Sequence, residues 1–374
     1  MKVLIAVGGG GHFSPALAVI ERMPEDWEIL LVGRKYAFEG DSALSLEYQT
    51  AKRLGLRFKS LTTGRLQRKI SKHSVTSLIK MPVGLAQAFQ ILRSFGPDVA
   101  LSFGGYVSVP IVLAAAALRI PVVIHEQTLH AGLANKIAST FATKICVSWQ
   151  DSEKYFPKAK TVLIGNPLRK AFLGGTRDLG LGIRNFDNSL PLIYITGGSG
   201  GAHGINVLIE GCLEKLLEKF SIIHQTGDAQ QYNDFERLEQ FKSKLPAFLQ
   251  KRYEIKKFID PEHVMEIVTK ADLIISRSGI NTVTEILYLG KPSLLIPLPY
   301  GQHNEQLANA EFVRDLGLAE IVDQQEMTSD LLFKKIDVMI TGLAAYRKHA
   351  DAARKLIHPD AAEKIIKIVE GLML

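Results

Sequence analysis

Short apolar runs, each ending in a glycine-rich or polar turn and followed by a helical period, recur along the whole chain. Val3 to Val7 is the first run. It stops at Gly8-Gly9-Gly10-Gly11-His12, and Pro15 opens a helix through Ala16, Leu17, Ala18, Val19 and Ile20. Glu28 to Val32, Val99 to Phe103 and Val122 to Ile124 repeat the pattern, ending on Gly33-Arg34-Lys35, Gly104-Gly105-Tyr106 and His125-Glu126-Gln127. Residues 174 to 190, rich in Gly, Asn and charge, read as a linker. After it the pattern restarts. Leu192 to Thr196 runs into Gly197-Gly198-Ser199-Gly200-Gly201-Ala202-His203, and strands follow at Ile222, Glu254, Ala271 and Pro292. The chain is therefore α/β, with two Rossmann-like doubly wound parallel-sheet domains facing a central cleft. The expected boundaries are residues 1–165 and 166–343, with a tail over about 344–374 packing back on the first domain.

The second half contains one stretch of particular interest. Ala271 to Ser276 reads as a buried parallel strand, Arg277-Ser278-Gly279 as a tight turn, and Ile280 to Gly290 as a helix closing on glycine. A helix N-terminus after a glycine turn presents unpaired backbone N–H groups to an anion. Glu285, further into the helix, is placed to reach a diol beyond that anion. A bound nucleotide and an ordinary strand-to-helix turn with a solvated Glu285 both fit this stretch.

Charge sharpens the picture. The formal net charge is +7, and the excess is localised. No Asp or Glu occurs between Tyr48 and Pro97, where ten Lys and Arg residues stand. Arg65, Arg68, Lys69 and Lys72 lie beside Ile70, Val75, Leu78, Ile79 and Leu85, interrupted by Pro82 and Gly84. Mixed bases and apolar residues suit an anionic bilayer surface, and an ordinary helix whose apolar face is core is the plainer alternative. Nucleic acid would call for stacking aromatics, and the stretch is poor in them. Cys146 and Cys212 suggest neither a disulfide framework nor a metal site. The longest apolar run, Val109 to Leu118, is half a membrane span, so the expectation is a protein at the cytoplasmic face of the cell membrane, held peripherally.

Candidate chemistry gathers at the turns. Four successive glycines let a ligand approach the backbone closely. His12 follows them and can serve as a general base near neutral pH, or can simply cap the turn. No acidic residue follows the second strand at dinucleotide spacing, so a nicotinamide dehydrogenase is disfavoured. His125 and Glu126 lack a third ligand at usable spacing, so no metal is expected. Ser199 offers an N–H and a hydroxyl to a phosphate.

Taken in order, these motifs resemble the MurG family of N-acetylglucosaminyltransferases, which have the GT-B fold. The resemblance rests on Gly8 to His12, Gly104-Gly105-Tyr106, His125-Glu126-Gln127, Gly165-Asn166-Pro167-Leu168-Arg169, Gly197-Gly198-Ser199, His224-Gln225-Thr226-Gly227, Arg277-Ser278-Gly279 with Glu285, and Gln306 with Asn309. It implies an inverting transfer from UDP-N-acetylglucosamine to lipid I, a polyprenyl-diphosphate muramyl peptide, with no metal or other cofactor. It implies His12 as the base. On the donor side it implies Phe258 and Ile259 at uracil, Glu285 at ribose, Gly198, Ser199, Ser278, Gly279, Ile280 and Thr282 at the diphosphate, Gln306 at the sugar, and Arg169. On the acceptor side it implies Gly10, Gly11, Tyr106, His125, Glu126, Gln127 and Thr128. Gly9, Thr128, Gly200 and Glu305 depart from the usual residues of that pattern. A diacylglycerol glycosyltransferase, a UDP-N-acetylglucosamine epimerase and a non-catalytic nucleotide-sugar binder are the alternatives.

Overall fold

The computed structural model describes residues 1–36, 44–62, 72–173, 189–198, 200–229, 231–299 and 304–373; the side chains of 10, 72–80, 261 and 262 also fall outside the description. The chain divides into two units, Met1–Lys170 with His358–Leu374, and Ala171–Ile357.

The first unit is built on β1 (Lys2–Ala6), β2 (Glu28–Gly33), β3 (Arg57–Ser60), β4 (Val99–Ser102), β5 (Val122–Glu126), β6 (Lys144–Val147) and β7 (Thr161–Leu163). They form one parallel sheet in the order β3-β2-β1-β4-β5-β6-β7. The second unit holds β8 (Leu192–Thr196), β9 (Ser221–Gln225), β10 (Tyr253–Lys256), β11 (Leu273–Ser276), β12 (Ser293–Leu295) and β13 (Ala319–Ile321), ordered β10-β9-β8-β11-β12-β13. Every pairing between these strands is parallel.

The continuous apolar runs follow from this covering on both faces. In β1 and the residue after it, Val3, Ile5 and Val7 enter one buried cluster, and Leu4 and Ala6 enter another on the opposite face. In each sheet the strand order reverses once, between β1 and β4 and between β8 and β11. Ligands bind open α/β sheets at the carboxyl ends of strands beside such a reversal. The four turns there carry Gly8-Gly9, Gly104-Gly105, Gly197-Gly198 and Ser278-Gly279.

Three elements differ from the sequence expectation. The first helix runs Gly10–Ile20 with Pro15 inside it, so it opens five residues before the proline. Gly9 (φ 130) is its N-cap, and its carbonyl accepts from the His12 and Phe13 N–H groups at 2.9 and 3.0 Å. Buried Phe13 and Leu17 hold the helix despite the backbone donor that Pro15 lacks. A second helix, Lys72–Phe95, continues through Pro82 and Gly84, which were expected to break it. Buried Ala88 and Leu92 anchor its second half. Of the basic-apolar patch, residues 63–71 and the 72–80 side chains lie outside the described residues. The tail divides. Leu343–Arg347 and Ala350–Arg354 belong to the second unit. Ala361–Glu370 belongs to the first, where Ala362, Ile365, Ile366 and Val369 pack with Phe13 and Leu17.

Candidate active site

In the first unit, the turns after β1 and β4 touch through their backbones. A Cβ on Gly8 would lie 2.4 Å from the Gly105 Cα, and one on Gly105 would lie 2.5 Å from the Gly8 Cα. Only two glycines permit that approach, so the β1 turn and the Gly104-Gly105-Tyr106 turn form one surface. A Cβ on Gly11 would meet nothing within 4 Å.

His12 stands on the first turn of the helix, partly exposed. Its Nδ1 lies 3.4 Å from the Gln127 Nε2. Burial lowers its pKa below the usual histidine value. The Glu126 charge and the Phe103 carbonyl oppose that shift, and the Arg34 guanidinium adds to it. The imidazole is therefore neutral at neutral pH, the form a general base needs.

The structure brings Gln127 and Tyr106 to this surface but encloses His125 and Glu126. His125 is fully buried, its Nε2 3.1 Å from the Ser148 hydroxyl, and burial holds its pKa at about 3. The Glu126 carboxylate accepts from the Thr128 N–H (3.0 Å), the Gly132 N–H (2.9 Å) and the Asn135 amide (3.0 Å). The Thr128 hydroxyl is shared between Glu126 (2.7 Å) and the His130 carbonyl (2.6 Å). These contacts fix the loop that carries Gln127; the His125, Glu126 and Thr128 side chains face protein. Arg169 also lies in the first unit. Its Nε donates to Glu21 at 2.7 Å, and the other Glu21 oxygen accepts the Lys170 N–H at 2.8 Å.

The second unit repeats the glycine contact. A Cβ on Gly201 would lie 2.2 Å from the Thr226 carbonyl oxygen, so the turns after β8 and β9 also touch. The Gly198 N–H donates to Thr196 Oγ1 at 3.0 Å, and its carbonyl accepts from Gln225 at 3.0 Å. A Cβ on Gly198 or Gly279 would meet nothing within 4 Å, so both turns leave space over their backbones. Ser199 lies outside the described residues.

The β11 turn is held by side chains. Arg277 donates to the Ile296 and Pro297 carbonyls (2.9 and 3.2 Å) and to Gln324 (2.6 Å). Ser278 is fully buried, and its hydroxyl donates to the Gln306 carbonyl at 2.6 Å. Asn309 donates to the Ser278 carbonyl at 3.0 Å, and the Gln306 side chain accepts the Leu298 N–H at 2.9 Å. Ser278 and Gln306 are thus brought together, but the serine hydroxyl is committed to the fold. Ile280 is buried, and Thr282 and Glu285 are partly exposed on the helix Ile280–Leu289. Burial raises the Tyr194 phenol, and the Glu285 charge adds to that rise. Phe258, just beyond β10, is 44% exposed, while Ile259 is buried.

Sequence reasoning missed Arg34 and Gln225. Arg34 follows β2 as a base where a dinucleotide enzyme would carry an acid, which is a usable signal. Nothing in the local sequence marks Gln225 as the support of the Gly198 turn. Among the described residues, no three His, Cys, Asp or Glu side chains gather as a metal site. Among them, too, no helix is long and apolar enough to cross a membrane.

Residues 3–147 match the glycosyltransferase family 28 N-terminal domain, and residues 192–365 match the family 28 C-terminal domain. Over its full length the chain is 36% identical to the UDP-N-acetylglucosamine--N-acetylmuramyl-(pentapeptide) pyrophosphoryl-undecaprenol N-acetylglucosamine transferase of Thermoanaerobacter sp. strain X514, with 100% of each chain covered. It is 33% identical to the enzyme of the same name from Shouchella clausii strain KSM-K16, with 95% of each covered. Among solved structures it is similar to Acinetobacter baumannii MurG, at 26% identity and a TM-score of 0.70 over 99% of both chains. A UDP-GlcNAc 2-epimerase from Neisseria meningitidis shares the fold at 16% identity, with a TM-score of 0.68 over 99% of this chain and 100% of that one.

Proposed function

The chain belongs to glycosyltransferase family 28, and from that premise we propose that it transfers N-acetylglucosamine from UDP-N-acetylglucosamine to the 4-hydroxyl of the muramyl sugar of a polyprenyl-diphosphate lipid, making lipid II for peptidoglycan. The observation that carries the reading is His12. It is a neutral imidazole at the glycine turn, its Nδ1 beside the Gln127 amide at 3.4 Å. His12 takes the proton of the acceptor hydroxyl. The oxygen attacks the anomeric carbon as the bond to UDP breaks, and the configuration inverts. UDP leaves with the electron pair.

The second unit holds the donor. Backbone N–H groups around Gly198 and Gly279, with the start of the helix Ile280–Leu289, meet the diphosphate. The buried Ser278 hydroxyl supports that turn rather than the ligand. Glu285 binds the ribose, Phe258 and Ile259 flank the uracil, and Gln306 meets the sugar. Arg169 would join the donor only after leaving Glu21. The enzyme works at the cytoplasmic membrane surface, attached through the basic-apolar residues Arg65 to Leu85.

The test is incubation with labelled UDP-N-acetylglucosamine and, separately, a muramyl-peptide polyprenyl diphosphate or diacylglycerol. Label moving into the first lipid alone supports the reading. Label in diacylglycerol, or release of the 2-epimer without acceptor, overturns it.

A further inference from the structure

The first unit places one more cation on the acceptor side. Arg34 follows β2, which pairs with β1, so it stands beside the Gly8–His12 turn. Its guanidinium covers Gly9. A Cβ on Gly9 would lie 2.6 Å from the Arg34 Nη2, so the arginine uses the space that a side chain there would fill. Its Nη1 is 3.4 Å from the Tyr106 hydroxyl, and the guanidinium carbon is 5.8 Å from the centre of that ring.

The group is not used up by internal contacts. Its Nε is buried without a hydrogen-bond partner among the described residues. The Glu47 carboxylate is 3.9 Å from that nitrogen, beyond hydrogen-bond distance. Glu47 is itself buried, and burial raises its pKa. Of five guanidinium donors, the contact to Tyr106 is the single hydrogen bond within 3.5 Å among the described residues, and it is a long one. About a quarter of the side chain remains exposed. An arginine fork with unspent donors, set against a glycine turn that opens a helix, matches the geometry of a phosphate group.

We propose that Arg34 is a substrate-binding residue that grips the diphosphate of the lipid acceptor against the Gly9 turn. The proposal rests on the acceptor assigned above. It makes recognition of the acceptor depend on a charge at the end of β2, and not on backbone N–H groups alone.

The experiment measures initial rates while acceptor and donor are varied separately, for wild type, Arg34→Gln and Arg34→Lys. A charge-assisted contact is worth about 1.5–3 kcal/mol, so Arg34→Gln should raise the acceptor KM roughly 10- to 150-fold. The donor KM should stay within about twofold, and Arg34→Lys should fall between wild type and Arg34→Gln. A merely structural arginine would instead lower kcat or shift both KM values. Should Arg34→Gln alone fail to fold because Glu47 loses its neighbour, the double variant Arg34→Gln/Glu47→Gln removes that carboxylate and carries the same test. An unchanged acceptor KM in a folded variant overturns the proposal and leaves the transferase reading standing. Absence of transfer by the wild-type enzyme overturns the transferase reading itself.

Discussion

The contact between Gly8 and Gly105 sets where the first glycine turn and His12 stand, and Gly105→Ala attacks it directly. Two costs can be separated. Gly105 has φ 79, where an L-residue costs roughly 1–2 kcal/mol. Its new Cβ would lie 2.5 Å from the Gly8 Cα, so the two backbones must part by about 0.9 Å to reach ordinary contact at 3.4 Å. Overpacking of that kind costs about 1–3 kcal/mol more. Gly55→Ala is the control. Its φ is 66, and a Cβ there meets nothing within 4 Å, so it carries the first cost alone. Both glycines lie in the first unit, as do the two tryptophans, Trp27 and Trp149. Urea unfolding followed by tryptophan fluorescence therefore reports on that unit. Gly105→Ala should lose about 1–3 kcal/mol more than Gly55→Ala. Turnover under native conditions should fall on the order of 100-fold, because a displacement near 1 Å misplaces His12, the proposed base. Equal stability losses together with unchanged turnover would refute the reasoning.

Two further outcomes concern stability. Ile365→Ala removes a fully buried side chain of the C-terminal helix from the first unit's core, so it should cost about 2–5 kcal/mol in the tryptophan-monitored transition; a loss below about 1 kcal/mol would show that this helix is not part of that core. His224 is buried between Tyr253 and Asn206, and burial holds its pKa at about 3 against 6.5 in the unfolded chain, with Asp234 opposing. The unfolded chain takes up a proton below pH 6.5 that the folded unit refuses, so stability is full above 6.5 and is lost as pH falls toward 3. The loss is about 1.4 kcal/mol per pH unit, and His224→Gln should flatten the second unit's stability profile by that slope; parallel profiles would contradict it.

How much of this was legible in the sequence depends on the distance over which each feature is decided. The strands were visible because a parallel strand covered on both faces must be apolar along its length, as β1 is. The turns were visible because a close backbone approach needs glycine. The start of the first helix was not, since four glycines carry no helical signal and the helix is held instead by Phe13 and Leu17 against the core. His125 and Glu126 read as chemistry, but Ser148 holds the first and Thr128, Gly132 and Asn135 hold the second. Arg34 was visible as a base after the second strand, but its contact with Gly9 was hidden. Its place is defined by a missing side chain at Gly9, on another strand's turn. Arg169 and Glu21 meet over 148 positions, which no local pattern displays.

The central claim is that His12 carries the proton transfer while the donor is held elsewhere. The most direct measurement takes one preparation of His12→Ala and determines both its equilibrium affinity for UDP-N-acetylglucosamine and its single-turnover rate with the lipid acceptor. Loss of a general base should slow transfer by about 10²–10⁴-fold, and donor affinity should stay within about twofold of wild type. A transfer rate near that of wild type would contradict the account.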